Sequence, residues 1–275
     1  MGREILWIFH QTYKGLPLKI MEKYIIRGSY GNRLIKIHAR KSLALSNYVT
    51  IFVHGLYGFF NENDINDKVY ILAKKLTEES VSNVICYESS RDFSFDGSLS
   101  YEKRQESFKE KTFTQELNDL KKVIDYIIDN SEKLFGIKKK NLILNLHGNS
   151  IGGTIILMLT KYFPYIRKIS LCGTGCGRGT ANRPIQSTTP DESILLDSIS
   201  KYSGELFLLQ GSKDNIVPLE SGIKILNHAK RAKIIHREIE GANHNFSKIN
   251  EVETREATNI FVNEIFDFLK NKTHS

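Results

Sequence analysis

Two hydrophobic periods take turns along the chain. Residues 21–40 hold two short runs, KYIIRG and RLIKIHA, in which apolar and polar positions alternate or the apolar ones dominate, separated by the turn-forming Ser29-Tyr30-Gly31-Asn32. This pattern predicts a β-hairpin forming an antiparallel edge. YVTIFVHG, Tyr48 to Gly55, is instead a continuous apolar run, the mark of a strand covered on both faces. Beyond it, helical and strand periods alternate. Ile65, Val69, Leu72 and Leu76 share one helical face and lead into the strand NVICYES, Asn83 to Ser89. Phe113, Leu117, Leu120, Ile124 and Ile127 form a second stripe, which delivers the chain to a strand beginning at Asn141. A helix to about Phe163 follows, then strands at Arg167–Gly173, Gly204–Gly211 and Ala232–Ile239. The last helix, Glu253–Lys270, buries Val262, Ile265, Phe266 and Leu269. Repeated strand-helix alternation predicts an α/β fold with a mostly parallel central sheet and helices on both faces.

No internal repeat or low-complexity linker interrupts the 275 residues, so a single domain over 1–275 is expected. Two tracts depart from the alternation. Residues 176–203 form a lid-like insertion, in which Thr189-Pro190-Asp191-Glu192 is a helix start: Thr189 as cap, Pro190 in the first turn, Glu192 completing a capping box. Such a lid is too short to bury a large substrate. Ser90 to Lys111 mixes polar residues with Phe93, Phe95, Tyr101 and Phe108, which suit either a pocket lining or the docking of a loop.

Composition narrows the function classes. The N-terminus has a five-residue apolar run, an acid at Glu4 and no small-residue cleavage site, so no signal peptide is expected. No segment is long enough to span a bilayer, and Leu6 stands where a myristoylation signal requires Ser or Thr. Cys86, Cys172 and Cys176 form an odd set without a Cys-x-x-Cys pair, fitting a reducing compartment and a cytoplasmic location. The net charge of +8 comes from scattered lysines. Their densest cluster, Lys138–Lys140, sits at a helix-to-strand junction, and no aromatic-interleaved basic stripe accompanies it, so no nucleic-acid partner is expected.

The stretch NLILNLHGNSIGGT, Asn141 to Thr154, carries candidate chemistry. An apolar strand stops at Gly148 and restarts as a helix, placing Ser150 at a tight elbow where glycines make room. The N–H groups at the start of that helix suit a developing oxyanion. The Gly-x-Ser-x-Gly pentapeptide arises by chance in roughly one chain in ten of this length, so other residues must decide. A P-loop is excluded because Thr154-Ile155 replaces its Lys-Ser/Thr. No His-x-His or His-Glu-x-x-His indicates a metal.

A serine hydroxyl needs a histidine to accept its proton and a carboxylate to orient that histidine. Of eight histidines, His38 and His236 fall inside strands, His10 and His274 lie near the termini, and His228 is in a helical stretch. His54 and His147 precede glycines at strand ends, where a ring ties down a turn. His244, in GANHNF after the last strand, and Asp214, in GSKDNIVP after the preceding one, both fall on the sheet edge that carries Ser150. Taken alone, Asp214 would be an ordinary turn or helix-capping aspartate.

With HGLYG (His54–Gly58), GNSIGG (Gly148–Gly153), GSKDNIVP (Gly211–Pro218) and GANHNF (Gly241–Phe246), the chain resembles the α/β-hydrolase superfamily from about Met21 to its end, and Ser, Asp, His is that fold's order. The resemblance implies Ser150 as nucleophile, His244 as general base and then acid, and Asp214 as orienting carboxylate, with the Leu56 and Ile151 N–H groups as oxyanion hole. It implies no cofactor. Tyr57, Phe59 and Phe60 are candidate substrate-binding residues beside the oxyanion loop. The chain departs from the family in having Asn149, where many members have histidine, directly before the nucleophile. CGTGCGRG, Cys172 to Gly179, lacks dinucleotide-binding spacing and is read as packing beneath the nucleophile. The expectation is a carboxylesterase or thioesterase acting on a small acyl ester or thioester. Peptidase, lipase and acyltransferase chemistry, or a catalytically silent binding module, are the alternatives.

Overall fold

The computed structural model describes residues 21–58, 64–91, 100–178 and 183–271. Among them, eight strands form one sheet in the order β1-β2-β4-β3-β5-β6-β7-β8. The hairpin β1 (Glu22–Arg27) and β2 (Leu34–Arg40) pairs antiparallel, and β2 joins β4 (Asn83–Glu88) antiparallel. From β4 onward every pairing is parallel, through β3 (Tyr48–Val53), β5 (Ile143–Asn149), β6 (Lys168–Cys172), β7 (Glu205–Gly211) and β8 (Lys233–Ile239).

Strand side chains alternate between two cores. Ile51, Ile85, Leu146, Leu206 and Leu208 face helices α3 (Phe113–Phe135), α4 (Ile151–Leu159) and α6 (Glu192–Ser200). Phe52, Cys86, Phe207 and Leu209 face α1 (Lys68–Glu78) and α8 (Glu251–Lys270). Burial on both faces explains why these strands appear as unbroken apolar runs. The stripe read from Phe113 to Ile127 is the buried face of α3, which a Thr112–Gln115 capping box opens and the left-handed Gly136 closes.

Three local expectations change. Ile65 is exposed and lies before α1, because the Asp67 carboxylate accepts from the Val69 and Tyr70 N–H groups and starts the helix at Lys68. α4 ends at Leu159, four residues early: the Thr160 hydroxyl donates to the Leu157 carbonyl and Pro164 disfavours helix ahead of it. In the insertion, Asp191 rather than Thr189 occupies the cap of α6, and no capping box forms. The Thr189 hydroxyl donates instead to the Ile185 carbonyl of the short α5 (Pro184–Ser187), and Glu192 accepts from Lys224. The Ser90–Lys111 tract contains α2 (Tyr101–Ser107), and α7 (Leu219–His228) links β7 to β8.

Ile124 is fully buried between α3 and the sheet. Ile124→Ala is expected to lower the unfolding free energy by about 2–5 kcal/mol, measured by urea denaturation.

Candidate active site

Because β3 to β8 run parallel, their carboxyl ends share one edge, where ligands of open α/β sheets bind. The segments leaving that edge carry Gly55 after β3, Arg91 after β4, Ser150 after β5, Gly173 after β6, Asp214 after β7 and His244 after β8.

Ser150 sits between β5 and α4 with φ 53° and ψ −125°, a region L-residues rarely occupy and one that costs about 1–3 kcal/mol. The surroundings enforce it. The Ser150 N–H donates to the Cys172 carbonyl at 2.8 Å. A Cβ on Gly152 would lie 2.3 Å from the Val53 carbonyl oxygen, and one on Gly148 would lie 2.8 Å from the Gly153 backbone, so the turn closes only with bare backbone there.

Ser150 Oγ lies 3.0 Å from His244 Nε2, and His244 Nδ1 lies 2.8 Å from Asp214 Oδ2. A carboxylate only accepts, so Nδ1 carries the proton, leaving Nε2 to accept from the serine hydroxyl. The other Asp214 oxygen accepts from the Ile216 and Val217 N–H groups, each at 2.9 Å. Burial raises the Asp214 carboxyl, but the bonds from His244, Val217 and Ile216 outweigh it and hold the group below its ordinary value. The two loops are tied together by Lys213 N–H to the Ala242 carbonyl and Gly241 N–H to the Ser212 hydroxyl. The His244 loop is further held where Lys68 Nζ donates to the Asn245 carbonyl at 2.5 Å. Gly173 lies under the histidine: a Cβ there would be 3.3 Å from its ring.

Compared by sequence, the chain matches no protein-family model and no curated protein. Compared by structure, it is similar to the esterase domain of a Rhodothermus marinus protein (TM-score 0.58, 14% identity, 90% of this chain and 98% of that one). It is also similar to an alpha-beta serine hydrolase homologue from Coxiella burnetii (TM-score 0.55, 16% identity, 89% of this chain and 97% of that one). A puromycin-hydrolysing peptidase from Mycobacterium tuberculosis aligns at TM-score 0.64 and 14% identity, over 90% of this chain and 39% of its own. The chain has the α/β-hydrolase fold. At these identities the likeness is one of fold.

Within this α/β-hydrolase fold, the remaining sequence candidates divide. Leu56, Tyr57 and Ile151 come together, packing with Phe108 and with Ile185 of α5 into an apolar cluster. Tyr57 meets Phe108 edge-on at 5.9 Å, and the Arg183 guanidinium lies 5.3 Å from the Tyr57 ring centre. Phe59 and Phe60 lie outside the described residues, as do Phe93 and Phe95. Ile185 was not foreseen, since it comes from the insertion and nothing local in the sequence marks its partner. His147 is buried: its Nε2 accepts from Asn149 Nδ2 at 3.3 Å, which leaves its Nδ1–H to donate to Ser170 Oγ at 2.9 Å. His54 is also buried, but its Nε2 has no hydrogen-bond partner among the described residues. All three cysteines are free and buried. Among the described residues, no group of three or more His, Cys, Asp and Glu could hold a metal ion, and no helix is long and apolar enough to cross a membrane.

Sequence reasoning also missed a buried ionic cluster behind the Gly55 loop. Arg91 Nη2 meets Glu116 Oε1 at 2.7 Å, and Lys111 Nζ meets Glu116 Oε2 and Asp119 Oδ2 at 2.6 Å, with every side chain at most 4% exposed. Asp119 also accepts from the Ser29 and Ser90 N–H groups, joining the hairpin turn to the end of β4. Two cations and two anions balance. Burial raises the Glu116 carboxyl, but Arg91 and Lys111 outweigh it and hold it at about 2. One signal was available: Glu116 and Asp119 lie among Phe113, Leu117 and Leu120 on the apolar stripe of α3.

Burial, with Arg91 near His54 and His54 near His147, lowers the two imidazoles to about 4 and about 3, so both are neutral near pH 7. As pH falls below about 6.5, the unfolded chain binds these protons first and stability drops. His147→Gln removes one such site. Its loss of unfolding free energy between pH 7 and pH 5 is expected to be about 2 kcal/mol smaller than that of the wild type, measured by urea denaturation at the two pH values.

Proposed function

We propose that the protein is a serine hydrolase that cleaves a small acyl ester or thioester through an acyl-enzyme. The observation that carries the reading is the unbroken sequence of bonds from Ser150 Oγ through His244 to Asp214, with Asp214 further anchored by two backbone N–H groups. His244 Nε2 takes the hydroxyl proton as Oγ attacks the acyl carbon, and Asp214 stabilises the resulting imidazolium. The carbonyl oxygen becomes an oxyanion, received by the N–H of Ile151 at the start of α4 and the N–H of Leu56. Collapse breaks the bond to the alcohol or thiol, which leaves with the proton from His244. Water then repeats the steps on the acyl-enzyme, releasing the acid and regenerating Ser150.

Leu56, Tyr57, Phe108, Ile151 and Ile185 supply an apolar wall for the acyl group, with α5 acting as a short lid. The modest size of this cluster supports a short acyl chain. The names of similar structures, an esterase domain and a peptidase among them, are consistent with acyl transfer at carbon.

A fluorophosphonate probe is expected to label the wild type and leave Ser150→Ala unlabelled. Absence of label on the wild type would instead favour a silent binding module. Asp214→Asn is expected to lower p-nitrophenyl acetate turnover by about 10²–10⁴-fold. Asp197→Asn should leave it unchanged, because Asp197 is an exposed partner of Lys201 on α6. Esters and acyl-CoAs of graded chain length would then locate the substrate class, with short chains preferred.

A further inference from the structure

Resting on the hydrolase reading, we infer that Arg91 is a positioning residue for the oxyanion loop, gripping two successive peptide carbonyls so that their partner N–H groups face the serine. Arg91 Nη1 donates to the Gly55 carbonyl at 2.7 Å and to the Leu56 carbonyl at 2.6 Å. A trans peptide is planar, with its N–H directed opposite to its C=O. Holding the Gly55 oxygen toward Arg91 therefore turns the Leu56 N–H away from it, and holding the Leu56 oxygen does the same to the Tyr57 N–H. Gly55 itself lies against the elbow: a Cβ on it would be 3.5 Å from Ser150 Cβ and from the Asn149 carbonyl oxygen.

Three features suit Arg91 to this task. It stands on the segment leaving β4, the strand hydrogen-bonded parallel to β3, so the register of the sheet fixes its height relative to Gly55. Its second amino group is locked by Glu116, itself locked by Lys111 and Ser89, so the guanidinium cannot swing away. A cation on a peptide oxygen also polarises the amide, making the N–H on the far side a stronger donor where charge develops. Lysine, a compact ammonium on a flexible stem, keeps the charge but cannot hold Glu116 and both carbonyls in one plane.

The test compares wild type with Arg91→Lys, counting active sites by fluorophosphonate titration and then measuring p-nitrophenyl acetate turnover per titrated site. Arg91→Lys is expected to lose about 10–100-fold in kcat with KM changed less than about threefold, short of the 10²–10³-fold that follows removal of an oxyanion donor. Its affinity for a boronic acid that forms a tetrahedral adduct on serine should fall by the same factor as kcat. A merely structural arginine would instead lower Tm and the titrated fraction while leaving turnover per site at the wild-type value, and that result would overturn the inference. Should Arg91→Lys not accumulate folded, Glu116→Gln carries the same comparison. It removes the charge that locks Arg91, and a parallel loss of about threefold to tenfold in kcat and boronate affinity is expected, with unchanged values overturning the inference. If the wild type takes no label and turns over no ester, the hydrolase reading itself fails and the clamp falls with it. An active wild type with an unimpaired Arg91→Lys defeats the clamp alone.

Discussion

The organisation of the sheet edge follows from one strained residue. Ser150 keeps its positive φ only because strand β5 and helix α4 are each anchored independently in the core, and because the turn between them is walled by backbone from β3 and β6. Those contacts run both ways. The Gly55 loop must lie against the elbow for Gly152 to pass the Val53 carbonyl, and the β6 end must lie beneath it for the Cys172 carbonyl to accept the Ser150 N–H. Strain at one residue thus specifies the spacing of three adjacent strands.

Parallel pairing turns that local geometry into a site. Strands of one direction deliver all their following loops to the same edge, so His244 meets Asp214 from 30 positions away and Ser150 from 94, each within hydrogen-bond distance. The histidine has the longest reach, and it is the most heavily secured. Its loop is bonded to the Asp214 loop, to Lys68 of α1 and to its own Asn243, whose side chain accepts from the Asn245 and Ser247 N–H groups. Asp214 in turn spends one oxygen on backbone and one on His244, which leaves the imidazole a single orientation.

The ionic cluster on the other side of the serine obeys a different energetics. Burying four charges has a high desolvation cost, and such groups seldom stabilise a fold more than apolar residues of the same volume would. What they supply is direction. Arg91, Glu116, Lys111 and Asp119 pair with one another and also hold backbone groups of the hairpin turn, the end of β4 and the Gly55 loop.

Much of this was legible in the residues. Period-two and period-3.6 apolar patterns depend only on which faces are buried, and that is why the strands, α3 and α8 could be placed without coordinates. That Ser150, Asp214 and His244 fall on one sheet edge was legible from strand ends and turn glycines, whereas their expected roles came from the resemblance to the α/β-hydrolase superfamily. The start of α1, the cap of α6 and the early end of α4 were not, because competing caps a few residues apart differ by little energy and neighbouring chain decides between them. Arg91 and Ile185 were hidden for a stronger reason. A lone arginine after a strand, or a lone isoleucine in an insertion, has no periodicity. Its partners, Gly55 and Glu116 for the one and Leu56 and Ile151 for the other, become partners only when the sheet brings their loops together. Local order is written in neighbouring residues, whereas the partners of a long side chain are settled by packing across the whole edge.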